Sequence, residues 1–321
     1  MPRDVLSDKK IVVIGGGTGV FTVLSGLKKH YRNLTAVVTM ADDGGSTGIL
    51  REEFGILPPG DIRRALIALS NSDNGILSEL FAYRFSEGRG LNGHTFGNLM
   101  ITALERITGD FNQAIIEAGK ILSVDGTVLP VTLTRTTLQA ELEDGTVIRG
   151  ETNIDVPSHD GNLRIKRVWL TPDPELNPQV KEVIMGADAI VIGPGDLYTS
   201  IVPNLLVSGM REALSKTSAK LIYVINLMTK FGETNNFKAS DFTRVIESHI
   251  GQGALNYIIM NNKQPTPSRF RPYANERANM VELDMAETSR KPTPIVADLL
   301  RPRGFLRHDP DKLARIIKMI V

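Results

Sequence analysis

The amino-acid sequence predicts an α/β fold with a mostly parallel sheet, helices on both faces and a small β-rich insertion. Three observations carry this. Short apolar runs, KKIVVI (9–14), LTAVVTM (34–40), ADAIVI (187–192) and LIYVIN (221–226), alternate with segments of helical periodicity; strands apolar throughout are buried on both faces, as in parallel sheets. The segments after these runs, GGGTG, ADDGGSTG, GPGDLYTS and NLMTKFGET, are rich in glycine, hydroxyls and acids. The N-terminal ends show nothing comparable, and ligands of such sheets bind off the C-terminal strand ends. Between 123 and 171 the texture changes to alternating strand-like runs around Asp125-Gly126 and Asp144-Gly145, two hairpin signals.

The elements follow in order. Lys9 to Ile14 is the first strand, ended by Gly15 to Gly19, and Val20 to His30 has apolar residues at helical spacing. Leu34 to Met40 is the second strand. Asp61, in N-cap position, opens a helix to Leu69 that turns Ile62, Ala65, Leu66 and Leu69 inward. Helices are read over 76–85, 94–108 and 111–122, the second entered from a glycine-rich loop, 87–93. Residues 123–171 form a flap within one domain spanning 1–321. Strands return at 187–192, 221–226 and 255–260. Ser240 caps a helix that Gly251 closes, and Asp309 and Pro310 take N-cap and N1 positions of a helix to Ile320.

Composition narrows the function. With 41% hydrophobic residues in 321, the chain buries a normal core. Its 37 basic and 36 acidic residues leave a net charge of +1, which argues against a general nucleic-acid or membrane-surface binder. It has no cysteine, so disulfides, zinc-thiolate sites and cysteine nucleophiles are excluded and a reducing cytosol is the natural home. The N-terminus lacks a signal peptide's apolar stretch, and no apolar run approaches the roughly 20 residues that span a bilayer. The expectation is a soluble, cytoplasmic protein.

The loops supply the chemistry. Gly16, Gly17, Thr18 and Gly19 let a phosphate approach backbone at a helix start, but the spacing is not G-x-G-x-x-G, since position 20 is valine, and no Walker lysine follows. A tight strand-to-helix turn explains the same residues. Asp42 and Asp43 end the second strand, where acids hold ribose hydroxyls or a magnesium ion beside a diphosphate; Gly44, Gly45 and Ser46 continue the loop. Asp61 can join them or simply cap its helix. Arg63 opposes the helix dipole unless an anion faces it. Gly193, Pro194 and Gly195 repeat the strand–glycine–helix arrangement, with hydroxyls on Tyr198, Thr199 and Ser200. Asn226 and Thr229 suit a uracil edge or a sugar. His94 and Asn98, one helical turn apart, suit phosphate or sugar; a satisfied core histidine is the alternative. The other histidines form no metal-ligand spacing, and no nucleophile triad is present, so catalytic residues stay unassigned.

Taken together, IGGGTG (14–19), ADDGGSTG (41–48), PPGDIR (58–63), LNGHTFGN (91–98), GPGDLYTSIVPNLLV (193–207) and NLMTKFGET (226–234) resemble the YvcK-type gluconeogenesis factor family, related to the 2-phospho-L-lactate transferase CofD. The resemblance runs from about residue 10 to about 319. It implies a Rossmann-like three-layer sandwich that binds UDP-N-acetylglucosamine and regulates carbon flow to cell-wall precursors and cell shape, acting on a protein partner in that synthesis, with a homo-oligomer as a further option. Tyr273 and Arg307 are implied to help hold the UDP-sugar, and NAD is an alternative occupant of the groove. The transferase branch implies Asp43 and Asp61 as ligands of a divalent metal such as Mg²⁺, giving a second functional class, a phosphotransferase. A third class, a nicotinamide oxidoreductase, is disfavoured by the glycine spacing. Pro310 stands where some relatives carry a phosphorylatable threonine, and 263–271, with Pro265 and Pro267, departs from the common pattern.

Overall fold

The structure, a computed structural model, describes residues 6–71, 75–285 and 291–321. The chain runs β1 (Ser7–Gly15), α1 (Gly17–Leu27), β2 (Tyr31–Val38), α2 (Gly45–Phe54), α3 (Pro59–Leu69), α4 (Gly75–Ala82), α5 (Phe96–Thr108), α6 (Phe111–Ile121) and β3 (Thr127–Pro130). The flap follows as β4 (Thr137–Leu142), β5 (Val147–Arg149), α7 (Glu151–Asp155) and β6 (Ile165–Thr171). Then come α8 (Pro178–Met185), β7 (Ala189–Ile192), a π-helical turn (Leu197–Ile201), α9 (Val202–Leu205), α10 (Met210–Lys216) and β8 (Lys220–Val224). The chain ends with α11 (Ala239–Ile250), β9 (Tyr257–Asn261), α12 (Pro267–Asn275), β10 (Thr293–Ala297) and α13 (Pro310–Ile320).

Seven strands form one sheet in the order β10-β9-β8-β7-β1-β2-β3, and every pairing in it is parallel. The chain winds outward from β1 in one direction and from β7 in the other. With right-handed crossovers, the two halves leave their helices on opposite faces. α1 packs between α3 and α13, while α10 packs on α8 and α11. The core is the strands themselves: Val13, Ile14, Val37, Ile190, Val191 and Ile222 are fully buried. This is the Rossmann-like α/β sandwich that the apolar runs predict. Among the described residues no helix is long and apolar enough to cross a membrane.

Several boundaries differ from the sequence reading for physical reasons. Thr127–Pro130, read as part of the flap, is instead the edge strand of the main sheet, parallel to β2; the antiparallel sheet β5-β4-β6 spans only 137–171. Asp125-Gly126 therefore makes no hairpin. Gly126 has φ +138°, and a Cβ there would lie 2.7 Å from the Leu34 carbonyl oxygen, so this glycine admits β3 against β2. Asp144-Gly145 does close the β4–β5 hairpin. α2 has no counterpart in the sequence reading, because Gly45, Ser46, Thr47 and Gly48 are weak helix formers. Asp61 is not the cap of α3: the helix begins at Pro59 after Pro58, leaving Asp61 in its first turn. Ser240 likewise yields the cap position of α11 to Lys238 and bonds Asp284 instead. Asp309 does cap α13, accepting from the N–H groups of Asp311 and Lys312.

Gly19 is the tightest junction in this frame: a Cβ there would sit 1.7 Å from the Pro194 carbonyl oxygen. Backbone cannot yield as a flexible side chain does, so Gly19→Ala should destabilise by about 3 kcal/mol or more, read as a lower urea midpoint at unchanged m. Gly90→Ala, with nothing within 4 Å of the added carbon, should stay within about 0.5 kcal/mol of the parent.

Candidate functional site

The catalogue of loops becomes one site because of strand register. Ile14 lies opposite both Val37 and Ile192, and Ile192 opposite Tyr223. The turns that leave β1, β2, β7 and β8 therefore start side by side on one rim. They floor a cavity of about 1010 Å³ bordered by Gly17, Asp42 and Gly195 together. The flap, α12 and the loop before α13 wall it.

In the first loop Gly17 takes φ +59°, and its N–H faces the Asp61 carboxylate and favours its charged form. Part of the anion-binding start of α1 is thus already filled by a side chain. Asp61 is buried and lies 3.6 Å from Arg64 Nη1. Burial, reinforced by nearby Asp42, pushes its carboxyl up to about 6. Gly16 is bare because a Cβ there would meet Asp61 Oδ2 at 2.6 Å.

Asp42 and Asp43 part company, as neighbours in extended backbone do. Asp42 borders the cavity, accepts the Gly44 N–H at 3.0 Å, and fits against Gly60, where a Cβ would lie 2.7 Å from Asp42 Oδ2. Asp43 turns away and accepts the N–H groups of Glu151 (3.1 Å) and Thr152 (2.9 Å), capping α7 of the flap. Of the two aspartates only Asp42 therefore shares the cavity with Asp61, joined by Glu151; Asp155, Asp196 and Glu276 line it elsewhere. Burial first, then Asp42, Asp155, Asp43 and Asp61, push the Glu151 carboxyl up to about 9.

Ser46, His94 and Asn98 make a buried polar chain. Arg63 Nε donates to Asn98 Oδ1 (2.9 Å), Asn98 Nδ2 donates to Ser46 Oγ (3.2 Å), and Ser46 Oγ meets His94 Nδ1 (3.0 Å). Ser46, Asn98 and Arg63 border the cavity; His94 stands behind them, ahead of α5.

The third loop winds into the π-helical turn, a feature that clusters at functional sites. Pro194, Gly195, Thr199 and Ser200 border the cavity, and Gly193 lies beneath. The Tyr198 side chain is buried away from the cavity, where burial and Glu233 push its phenol up to about 12. Glu233 accepts from the Tyr198 N–H (3.2 Å) and the Thr199 hydroxyl (3.3 Å). Asp155, Asp196 and Glu233 bring one carboxylate oxygen each within 4.8 Å of one another, a set able to hold a cation. It already holds one: Lys230 Nζ contacts Asp155, Asp196 (3.0 Å) and Glu233 (3.0 Å), and the three carboxylates keep it charged. Asn226 accepts the Gly195 N–H (3.1 Å) and Thr229 accepts the Asn279 N–H (3.0 Å), so both frame the site as well as border it.

The far wall carries Tyr273 and Arg307. Pro267 opens α12, which gives the segment around it regular structure. Tyr273 Oη accepts the Leu306 N–H at 2.9 Å. Arg269 donates to the carbonyls of Arg301, Pro302, Gly304 and Phe305. Arg307 stacks on Phe305, 5.4 Å from the ring centre. His308 is buried beside it, its pKa lowered to about 4 by burial. The sequence reading missed Glu151 and Asp155, because the flap offers no motif, and passed over Lys230 inside NLMTKFGET.

The family model described as 2-phospho-L-lactate transferase CofD matches residues 11–300. A gluconeogenesis factor of Bacillus subtilis (strain 168) is 42% identical, over 96% of this chain and 96% of its own length. One from Halalkalibacterium halodurans is 42% identical, over 97% of this chain and 96% of its own. A crystal structure of a UPF0052-family protein from Bacillus halodurans, 40% identical, aligns with a TM-score of 0.91 over 98% of this chain and 100% of that one. The chain belongs to the CofD family and, with these relatives, to its gluconeogenesis-factor (YvcK/UPF0052) branch.

Proposed function

We propose that the chain is a cytoplasmic nucleotide-sugar-binding regulator whose ligand is UDP-N-acetylglucosamine, acting on carbon flow to cell-wall precursors and cell shape through a protein partner. One observation carries the reading: two glycine loops at helix starts, a rim of hydroxyls and the Tyr273–Arg307 wall converge on a single cavity at the strand ends. With the N–H groups of Gly44 and Gly195 taken by Asp42 and Asn226 and Gly17 facing Asp61, the N–H groups of Thr18 and Gly19 at the start of α1 remain for a diphosphate. Arg307 offers a planar fork that no described carboxylate engages, suited to a phosphate oxygen pair. Asn226 and Thr229 lie where a base or sugar edge would be read. NAD is the competing occupant of the same groove.

A second reading, a Mg²⁺-dependent phosphotransferase, draws on Asp42, Asp61 and Glu151. Burial, then neighbouring acids, push the carboxyls of Asp61 and Glu151 up, and such an oxygen-rich set suits a hard divalent cation. These residues would hold the ion, which would stabilise charge on a transferred group. Asp43, though adjacent, is spent on α7.

Calorimetry with UDP-N-acetylglucosamine should give a dissociation constant below millimolar, and Arg307→Ala should weaken it more than tenfold, about 1.4 kcal/mol, with an unchanged melting temperature. No heat at millimolar ligand would sink the regulator reading. Arg269→Ala should act the same way more weakly, by freeing the loop that presents Arg307.

The carboxyl cluster predicts its own pH signature. Glu151 is protonated in the folded chain up to about pH 9 but ionises near 4.5 when unfolded, so its share of stability is whole at low pH and is lost as pH rises. Glu151→Gln should melt higher than the parent, with a gap that widens from pH 5 to pH 9. If Mg²⁺ binds this cluster, millimolar Mg²⁺ should narrow that gap and release protons; a gap indifferent to Mg²⁺ argues against the metal reading.

A further inference from the structure

We propose that the corner formed by Arg63, Arg64 and Arg84 is a second anion subsite of the cavity, taking the phosphate group of a small phosphomonoester beside the nucleotide sugar. The identity of the other occupant rests on the reading above; the corner itself rests on Arg63. This residue is 7% exposed and borders the cavity. Its only hydrogen bond among the described residues runs from Nε to Asn98. Its two terminal nitrogens have no acceptor there, and although Asp61 and Asp42 favour its charge from nearby, no described carboxylate forms a close ion pair with it. A buried guanidinium whose terminal nitrogens lack partners is costly to keep, so a fold that keeps one has reason to present it.

The surroundings are built to hold that side chain rather than to neutralise it. A Cβ on Gly97 would lie 2.7 Å from Arg63 Cδ, so α5 is bare where the arginine stem passes. The next residue, Asn98, fixes Nε, and the Ser46–His94 pair fixes Asn98. The fork is thus aimed by four residues from α2, α5 and the loop before α5. Arg84, anchored to the Gly93 carbonyl at 2.5 Å, and Arg64 border the same space. Burial first, then Arg64 and Arg84, disfavour the charge on Arg63 more than Asp61 and Asp42 favour it, an imbalance that a dianion offsets better than a monoanion. Guanidinium forks match phosphate bidentately.

The nucleotide need not use this corner. Its anchors are the glycine loops and the Arg307 wall; Arg64 of α3 lies beside Gly17, so the distinction between the two subsites rests on Arg63 and Arg84. A cavity of about 1010 Å³ stands at the top of the range of about 300–1,000 Å³ that serves one drug-sized ligand.

The test is calorimetric titration of inorganic phosphate, with acetate as the carboxylate arm, into protein alone and into protein saturated with UDP-N-acetylglucosamine. Phosphate should bind in both cases and more tightly than acetate. Arg63→Gln should weaken phosphate at least tenfold while leaving nucleotide-sugar affinity within threefold, and Arg307→Ala should do the reverse. Arg84→Gln, on an exposed side chain, should weaken phosphate in the same direction should Arg63→Gln fail to fold. Phosphate that competes with the nucleotide sugar, together with a nucleotide loss in Arg63→Gln, would assign Arg63 to the diphosphate and overturn the second subsite. Phosphate binding indifferent to both variants, or equal binding of acetate, would overturn it too. Failure of the nucleotide sugar alone to bind leaves the titration of the unliganded protein intact, so the two readings fail separately.

Discussion

The site depends on how closely two backbone turns approach at the switch point of the sheet. β1 and β7 are neighbours from which the chain winds in opposite directions, and such a point opens a crevice by itself. Here the crevice is floored by contact between Gly19 and the carbonyl of Pro194, with no room for a side chain between them. Asn204 Nδ2 bonds the Gly15 carbonyl (3.1 Å) and the Ser200 carbonyl (2.9 Å), and Asn226 takes the Gly195 N–H. The third loop is thus moored to the end of β1 on one side and to the turn after β8 on the other. Every polar group on the rim inherits its position from that mooring.

Charge in the cavity is sorted rather than merely abundant. One cluster of carboxylates, Asp155, Asp196 and Glu233, is answered by Lys230 from within the protein and serves as a latch: Asp155 belongs to the flap, Asp196 to the third loop, Glu233 to the segment after β8. The other, Asp42, Asp61 and Glu151, has weaker internal answers, and burial, then neighbouring acids, push the Asp61 and Glu151 carboxyls up. The arginines occupy the two ends. Opposite charges a few ångström apart interact by about 4 kcal/mol at an effective dielectric near 20, so a latch with three such contacts outlasts one. The acid triad that looks like a metal site is better read as an ammonium site.

Much of this was legible in the sequence, and the exceptions share a cause. Strands buried on both faces, such as Ile11–Ile14 and Ile190–Ile192, announce themselves because burial demands unbroken apolar residues. The glycines and acids after them mark the rim for the same reason: close backbone approach leaves glycine few substitutes. What the one-dimensional pattern does not carry is direction. Asp42 and Asp43 are equivalent in sequence, yet one faces the cavity and the other caps α7. Tyr198 sits among hydroxyls that face the cavity but turns into the core. His94 and Asn98 read either as ligand contacts or as satisfied core residues; both brace Arg63, and Asn98 alone of the two also borders the cavity. Glu151 and Asp155 were invisible because they reach the cavity from an insertion whose pairing, not whose motif, places them there.

The two sides of the cavity are held by different forces, and that difference bears on regulation. The rim is continuous with the core, and opening it means breaking the sheet. The loop carrying Arg307 instead rests on a small apolar cluster, Leu227, Leu300 and Leu306, and on polar contacts: a phenol oxygen, the Arg269 guanidinium and Lys312 bonded to backbone, and a short backbone bridge between Leu300 and His308. Such segments open at a fraction of the global unfolding free energy. A ligand that bridges the rim and Arg307 stabilises the closed arrangement only by its preference for it over the open one. The flap is held by charge instead, latched by Lys230 and with its α7 capped from the rim by Asp43, so the cavity has one wall fixed by ion pairs and one resting on a small apolar cluster.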